Sequence, residues 1–149
     1  MAEDNKGAYF EILPVELQKQ ELRMTLFVHQ VVRGPEQNQQ VVVPRSNPPF
    51  GLVVANDWTV FDGLGSGASL VGNAQGMHML GSMTQDSWCI YFDLLLGSFG
   101  QVDGEWAIVG GTGEFTLAQG VISFKKVQDS KDMNIRELKL RVFYTPIKV

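Results

Sequence analysis

The sequence predicts an all-β fold, a closed barrel of about eight antiparallel strands. Three observations carry that expectation. Apolar runs with strand character recur along the chain, short links of Gly, Asp and Ser separate them, and no segment holds a helical period beyond, at most, one turn near Pro14 to Gln20. The 16 glycines among 149 residues fall between the runs and not inside heptads. Such a pattern suits an up-and-down barrel or a sandwich, and closure into a barrel removes exposed strand edges.

Leu22 to Val32 reads as one long strand that stops at Arg33-Gly34-Pro35. Val41 to Val43 is a short β-branched run closed by Pro44 and Pro48-Pro49, which demote it to an edge piece or a loop. Phe50 to Phe61 is a second strand in which Val53, Ala55, Asp57, Thr59 and Phe61 share one face by period two, placing Asp57 on a mainly apolar surface. Asp62 to Gly67 turns the chain. Leu70 to Leu80, Trp88 to Leu96, Trp106 to Val109, Phe115 to Val127 and Ile135 to Thr145 follow as strands. Residues 1–21 read as an N-terminal segment and 22–149 as the barrel domain.

Composition narrows the function. With 12 Lys+Arg against 16 Asp+Glu and no basic stripe, the chain has no electrostatic footprint for nucleic acid. A 44% apolar share is too high for disorder, and no long apolar run predicts a membrane span. The single cysteine, Cys89, excludes an internal disulfide framework and suits a reducing compartment. The start Met1 to Lys6 is polar, with no secretory signal behind it, and no Asn-x-Ser/Thr acceptor occurs, so a cytoplasmic location is expected.

Gly63-Leu64-Gly65 and Gly110-Gly111-Thr112-Gly113 resemble phosphate cradles. That chemistry needs a helix N-terminus after the loop, and strands flank both, so they read as turn glycines. His29, His78 and Cys89 lack ligand spacing for a metal, and no metal or other cofactor is expected. No nucleophile elbow appears, and Gly65-Ser66-Gly67 reads as a loop. More informative are polar residues interrupting apolar strands: Gln30, Asp57, Glu114 and Gln119. Facing into a barrel, each needs a hydrogen-bond partner or a ligand, because an unpaired buried polar group costs about 1–3 kcal/mol. Trp58 and Trp106 offer flat rings for a sugar or an aromatic substrate, or belong to the core.

Several segments resemble dirigent proteins over about Leu22 to Thr145: Phe27-Val28-His29, Phe50-Gly51 with Asn56-Asp57, Ala74-Gln75-Gly76, and Val109-Gly110-Gly111-Thr112-Gly113-Glu114-Phe115 with Ala118-Gln119-Gly120. Asn56-Asp57-Trp58, Tyr91-Phe92-Asp93 and Glu105 to Val109 are similar to the dirigent domain that grasses fuse to a mannose-binding jacalin-type lectin domain. The resemblance implies an eight-stranded antiparallel barrel of the dirigent and allene-oxide-cyclase type (calycin-like), a homotrimer, and a jasmonate-linked role in plant defence and disease resistance. It also implies either steering of phenoxy-radical coupling, with radicals supplied by a separate oxidase, or proton transfer on a bound quinone methide or pterocarpan precursor, using carboxylates and an arginine in the pocket.

The chain departs from that pattern. The aspartate after the first-strand histidine is Gln30, the aspartate after the Gly-Gly-Thr-Gly turn is Glu114, and the arginine before the next glycine is Gln119. Only Asp57 keeps a matching acid. The segment Leu94 to Gly104 is also shorter than the family's usual hairpin by about ten residues, beyond ordinary loop variation. An amide-rich, carboxylate-containing pocket with aromatic rings suits sugar hydroxyls and sugar C–H faces. The sequence reading is therefore a non-catalytic, lectin-like carbohydrate-binding domain. Its partners are an oligosaccharide, with galactosides preferred for their continuous apolar face, and a C-terminal jacalin-type domain. Asp57, Glu114, Gln30, Gln119, Trp58 and Trp106 are its ligand-binding candidates. The alternative is an active dirigent protein acting on phenolics by radical coupling or by proton transfer.

Overall fold

The computed structural model describes residues 11–44, 50–84 and 103–146, and the backbone of 88–92 and 95–99. The strands are β1 (Gln20–Val31), β2 (Gln39–Val43), β3 (Val53–Phe61), β4 (Leu70–Leu80), β5 (Trp88–Phe92), β6 (Leu95–Phe99), β7 (Asp103–Ile108), β8 (Gln119–Asp129) and β9 (Met133–Tyr144). They form one antiparallel sheet in the order β1-β9-β8-β7-β6-β5-β4-β3-β2. From β2 to β9 each strand pairs with the next in sequence, a meander whose last strand returns along the whole of β1, from Gln20↔Tyr144 to Val31↔Met133.

This corrects the closed eight-stranded barrel. Among the described residues the sheet has nine strands, and β1 meets β3 over only three residue pairs, Phe27↔Phe61, Val28↔Val60 and His29↔Thr59. Gln20 to Leu26 pair on one side only, so the sheet stays open along most of that edge. The reason lies at the two ends of the seam: β3 stops at Phe61, before it could face Gln20 to Leu26, and β1 stops short of Gly34 and Pro35. Gly34 takes φ +100°, its carbonyl accepts from Gln37 N at 3.1 Å, and β1 ends. The chain then restarts as β2, which occupies the β3 edge beyond the seam through Gln39↔Asn56, Gln40↔Ala55 and Val41↔Val54. Val41 to Val43 thus belongs to an edge strand, with a bulge between Val41 and Val43. Trp88 to Leu96 divides into β5 and β6, which pair with each other. Residues 1–10, 93–94 and 100–102 lie outside the described set, and with them the polar start and much of the shortened hairpin.

The single helical turn that the sequence allowed at most near Pro14 to Gln20 is not formed; residues 11–19 have no regular structure. Both glycine-rich links join strands. Asp62 closes the first, its Oδ1 accepting from Ser69 N at 2.7 Å. The second holds a single 3₁₀ turn at Gly113–Phe115, too short to act as a phosphate-binding helix.

Alternation decides what faces inward. On β3 the buried set is Val54, Asn56, Trp58 and Val60, so the face carrying Asp57 is the outer one. Trp58 and Trp106 are 0% and 1% exposed and centre a core shared with Val28, Ile122, Phe124 and Leu138. Trp106 packs on Phe124 with ring centroids 4.6 Å apart.

Candidate functional site

The concave side of the sheet is apolar at one end and polar at the other. At the apolar end lies a cavity of about 250 Å³. Leu22, Met24 and Leu26 of β1 line one wall, Leu138, Leu140 and Val142 of β9 a second, and Val60, Ala74, Ile108 and Ile122 the rest. The link from β7 to β8 supplies its lid through Phe115 and Ala118. That link is tightly wound: Ala118 N donates to Phe115 O at 2.9 Å, Thr116 Oγ1 to Gly113 O at 2.7 Å, and Leu117 sits at φ +64°. The fold of the link brings the Phe115 ring to 5.2 Å from the Tyr144 ring, whose hydroxyl donates to Gln20 Oε1 at 2.9 Å. Among the described residues, no polar or ionisable side chain lines the cavity.

Two residues further along the inward face stand Val28, Trp58 and Phe124, and beyond them the polar end. Arg136 is 2% exposed; its Nε donates to Gln30 Oε1 at 3.2 Å and its guanidinium lies 5.2 Å from the Phe124 ring centre. Burial pushes Arg136 down to about 10, against the pull of Asp129, so it stays cationic at neutral pH. On β3 and β4, Asn56 Nδ2 donates to Ala74 O at 2.9 Å, which turns Asn56 Oδ1 toward His78 Nδ1 at 3.3 Å. A carbonyl oxygen only accepts, so Nδ1 carries the hydrogen and Nε2 is the acceptor side of the ring. Burial lowers His78 to about 4, leaving it neutral near pH 7. Trp58 stands 5.2 Å from that imidazole, and its indole N–H donates to Gln39 Oε1 at 2.9 Å.

The six residues singled out from sequence do not converge. Gln30, Trp58 and Trp106 are buried inside. Asp57 is exposed on the outer face, where its Oδ1 accepts from Asn73 at 2.7 Å and Gln75 at 3.0 Å. Glu114 is exposed on the 3₁₀ turn, beside the Phe115 lid, and Gln119 is exposed opposite Phe143. The link bearing Glu114 lies at the end of the sheet opposite Gln30, since β1 runs away from it. Sequence reasoning missed Asn56, Arg136 and Asn134, and weighed His78 only as a metal ligand. The signal for Asn56 was available: its face also carries Val54, Trp58 and Val60, the bulkier apolar set. Among the described residues no group of three or more His, Cys, Asp or Glu is placed to hold a metal, and no helix is long and apolar enough to cross a membrane.

The model of the family described as dirigent-like protein matches residues 21–143. This chain belongs to the dirigent-like protein family. Pterocarpan synthase 1 of Glycyrrhiza echinata is 30% identical over 164 residues, covering 91% of this chain and 86% of that protein. The solved structure of the pterocarpan synthase dirigent protein GePTS1 superposes with a TM-score of 0.78 at 27% identity, over 92% of this chain and 99% of that one. A second, the pterocarpan synthase dirigent protein PsPTS1, gives a TM-score of 0.69 at 24% identity, over 91% and 100% respectively, and supports the fold.

These dirigent relatives correct the functional expectation. They bear the name of a synthase, so neither a lectin nor a non-catalytic role stands, and none of them points to an oligosaccharide partner or a jacalin-type domain. The interior agrees. A sugar needs polar groups around its hydroxyls and an open ring face to stack on, whereas the cavity wall is apolar and both tryptophan rings are covered.

Proposed function

We propose that this dirigent-type chain holds a phenolic molecule in the apolar cavity and directs which face of it forms a new bond. The single observation that supports this reading is the cavity: about 250 Å³, and lined among the described residues by apolar side chains of β1, β9 and the link that carries Phe115. It is small beside the usual ligand pocket of roughly 300–1,000 Å³, so it suits one flat ring system, held by shape and not by charge.

Two bond-forming steps use such a cavity. In pterocarpan-type closure, which the relatives' names favour, a phenol oxygen adds to the carbon of a quinone methide, and the phenol proton ends on the quinone oxygen. That addition is an isomerisation; the quinone methide itself forms from an isoflavanol when the alcohol hydroxyl and a phenol proton leave as water, so neither part needs an oxidant. In phenoxy-radical coupling, a separate oxidase first removes one electron and one proton from each phenol, and the two radicals then share their electrons in one new bond.

Holding one face of the reacting ring favoured by about 1.4 kcal/mol gives a tenfold excess of one stereoisomer. The test is chiral chromatography of two reactions: a hydroxylated isoflavanol incubated with the chain alone, and a monolignol incubated with the chain and a one-electron oxidase. An enantiomeric excess in the first assigns ring closure, and one in the second assigns coupling. Racemic product in both overturns the proposal.

A further inference from the structure

The link between β7 and β8 covers the cavity with Phe115, yet it is fastened to the rest of the fold at few points. Its described hydrogen bonds all stay inside it: Phe115 N donates to Thr112 O at 3.1 Å, Thr116 N to Gly113 O at 3.2 Å, and Ala118 N to Phe115 O at 2.9 Å. A Cβ on Gly111 would land on the Phe115 carbonyl, so the two limbs of the link touch backbone to backbone and form one piece. A ring contact outside the cavity holds that piece to the sheet. Phe115 lies 5.2 Å from Tyr144 at 59°, within the range of a favourable aromatic pair, and the Tyr144 hydroxyl donates to Gln20 Oε1 at the end of the β1–β9 ladder.

Two further features fit this piece for movement. Leu117 sits at φ +64°, a conformation that leucine rarely takes, and its side chain is 56% exposed, so no burial of its own compensates. The next residue, Ala118, is 1% exposed and anchored in the core. The strain therefore falls at the joint between the self-contained turn and the fixed sheet. Beside that joint a groove of about 440 Å³ lies between the link and Leu17, Lys19 and Thr145, which leaves room for the turn to swing. Closure is a balance, favoured by the Phe115–Tyr144 contact and opposed by the backbone of Leu117.

We infer that the link is a gate on the apolar cavity, held shut by the Phe115–Tyr144 contact and hinged at Leu117. This rests on the reading of the cavity as a binding site and adds to it the way in and out. Opening returns Leu117 to a negative φ, lifts Phe115 from Tyr144 and breaks the bond from Ala118 N to Phe115 O, which spans the hinge. Tyr144 is not one of the residues that line the cavity, so it acts through Phe115 and not on the bound molecule.

The test is amide hydrogen exchange of the folded chain followed by NMR, joined to stopped-flow binding of 2-naphthol, a flat fluorescent phenol. The Ala118 amide is expected to exchange faster than that of Ile122 in β8 and to be insensitive to low urea, which speeds only those openings that expose much surface. Tyr144→Leu keeps an apolar side chain and removes the aromatic pair, and Ala118 exchange is expected to rise about fivefold, the Boltzmann factor of such a pair. Leu117→Asn suits the left-handed conformation and is expected to slow that exchange about threefold. Association and dissociation of 2-naphthol are expected to shift by the same factors with Kd unchanged, because the contact is the same over a filled and an empty cavity. Damage to the site itself would change Kd instead. Ala118 exchange that matches Ile122 and rises with urea overturns the gate, as does unaltered exchange in either variant. Altered exchange with unaltered binding rates also overturns it, and leaves the cavity reading standing with another entrance. If 2-naphthol does not bind, the cavity reading falls and the gate with it.

Discussion

Asn38 Nδ2 donates to the backbone carbonyl of His29 at 3.0 Å, so a side chain continues the strand where the backbone of β1 stops. Its Oδ1 also accepts from Val31 N at 2.8 Å, its own N–H donates to Val31 O at 3.0 Å, and its carbonyl accepts from Asp57 N at 2.9 Å. One residue thus ties β1, β2 and β3 together at the short seam. Asn38→Ala removes both side-chain bonds and strands two partly buried backbone groups, so a loss of about 1–3 kcal/mol is expected. Urea denaturation measures it, and an unchanged midpoint would show that the seam does not depend on this side chain.

Gly120 sits on β8 against β9, and a Cβ there would land on the backbone carbonyl of Arg141. No flexible side-chain end is available to move aside. Gly120→Ala forces the β8–β9 ladder apart at the wall of the cavity, and a cost above about 3 kcal/mol is expected, in the range of severe overpacking. The check is expression and melting of the variant beside Gly67→Ala, whose Cβ meets nothing. Equal stability of the two would contradict the packing described here.

How far the sequence reaches can be seen on β3 and β4. Leu70–Leu80 has the bounds read from its apolar run, and the period-two grouping of Val53, Ala55, Asp57, Thr59 and Phe61 is the real one. What period two leaves open is which of two alternating faces turns inward. That is settled by the partners Gly76, Ala74 and Gly72 on β4, which make room for Asn56, Trp58 and Val60. Val41–Val43 reads as an edge piece or a loop because prolines flank it, and what makes it a strand is set by Asn38, through contacts seven and nine residues away in sequence, while the ninth strand comes from the division of Trp88 to Leu96 into β5 and β6. The placement of the candidate residues depends on pairing in the same way. Gln30 was legible as a polar residue in an apolar strand, but its partner Arg136 is 106 positions away, and only the β1–β9 register brings them together. Asp57 carried the family-like acid and so drew attention, while its side chain is spent on Asn73 and Gln75 outside the sheet.

Ala74 is the residue through which β4 lines the cavity. Ala74→Phe places a ring in space that the proposal gives to substrate, without removing any hydrogen bond made by an alanine side chain. Stability is expected to change by less than about 1.5 kcal/mol, since the added volume enters a void. Stereochemical excess in the product assay is expected to fall at least tenfold. A variant that keeps full stereocontrol would place the reacting molecule somewhere other than this cavity.

His78 sets the acid limit of the fold. Its value in the folded chain is lowered by burial to about 4 from 6.5, so between these values the unfolded chain binds a proton that the folded chain does not. Stability therefore rises with pH across that window. It is fully present above about pH 6.5, declines as the pH falls, and is lost by about pH 4, with a total on the order of 3 kcal/mol. His29, lowered by partial burial, acts in the same direction, whereas Glu21, held low by Arg141 and Arg23, withdraws its support only at more acid pH. Asn56 Oδ1 accepts from Nδ1–H whether or not the ring is protonated, so it orients the imidazole while burial sets its charge. His78→Gln keeps an amide donor for Asn56 and removes the titration. Its unfolding free energy, followed by urea denaturation at half-unit steps from pH 7 to pH 4, is expected to be markedly flatter than that of the wild type. Parallel curves for the two proteins would mean that the imidazole is protonated in the folded state at pH 5, against the burial that surrounds it.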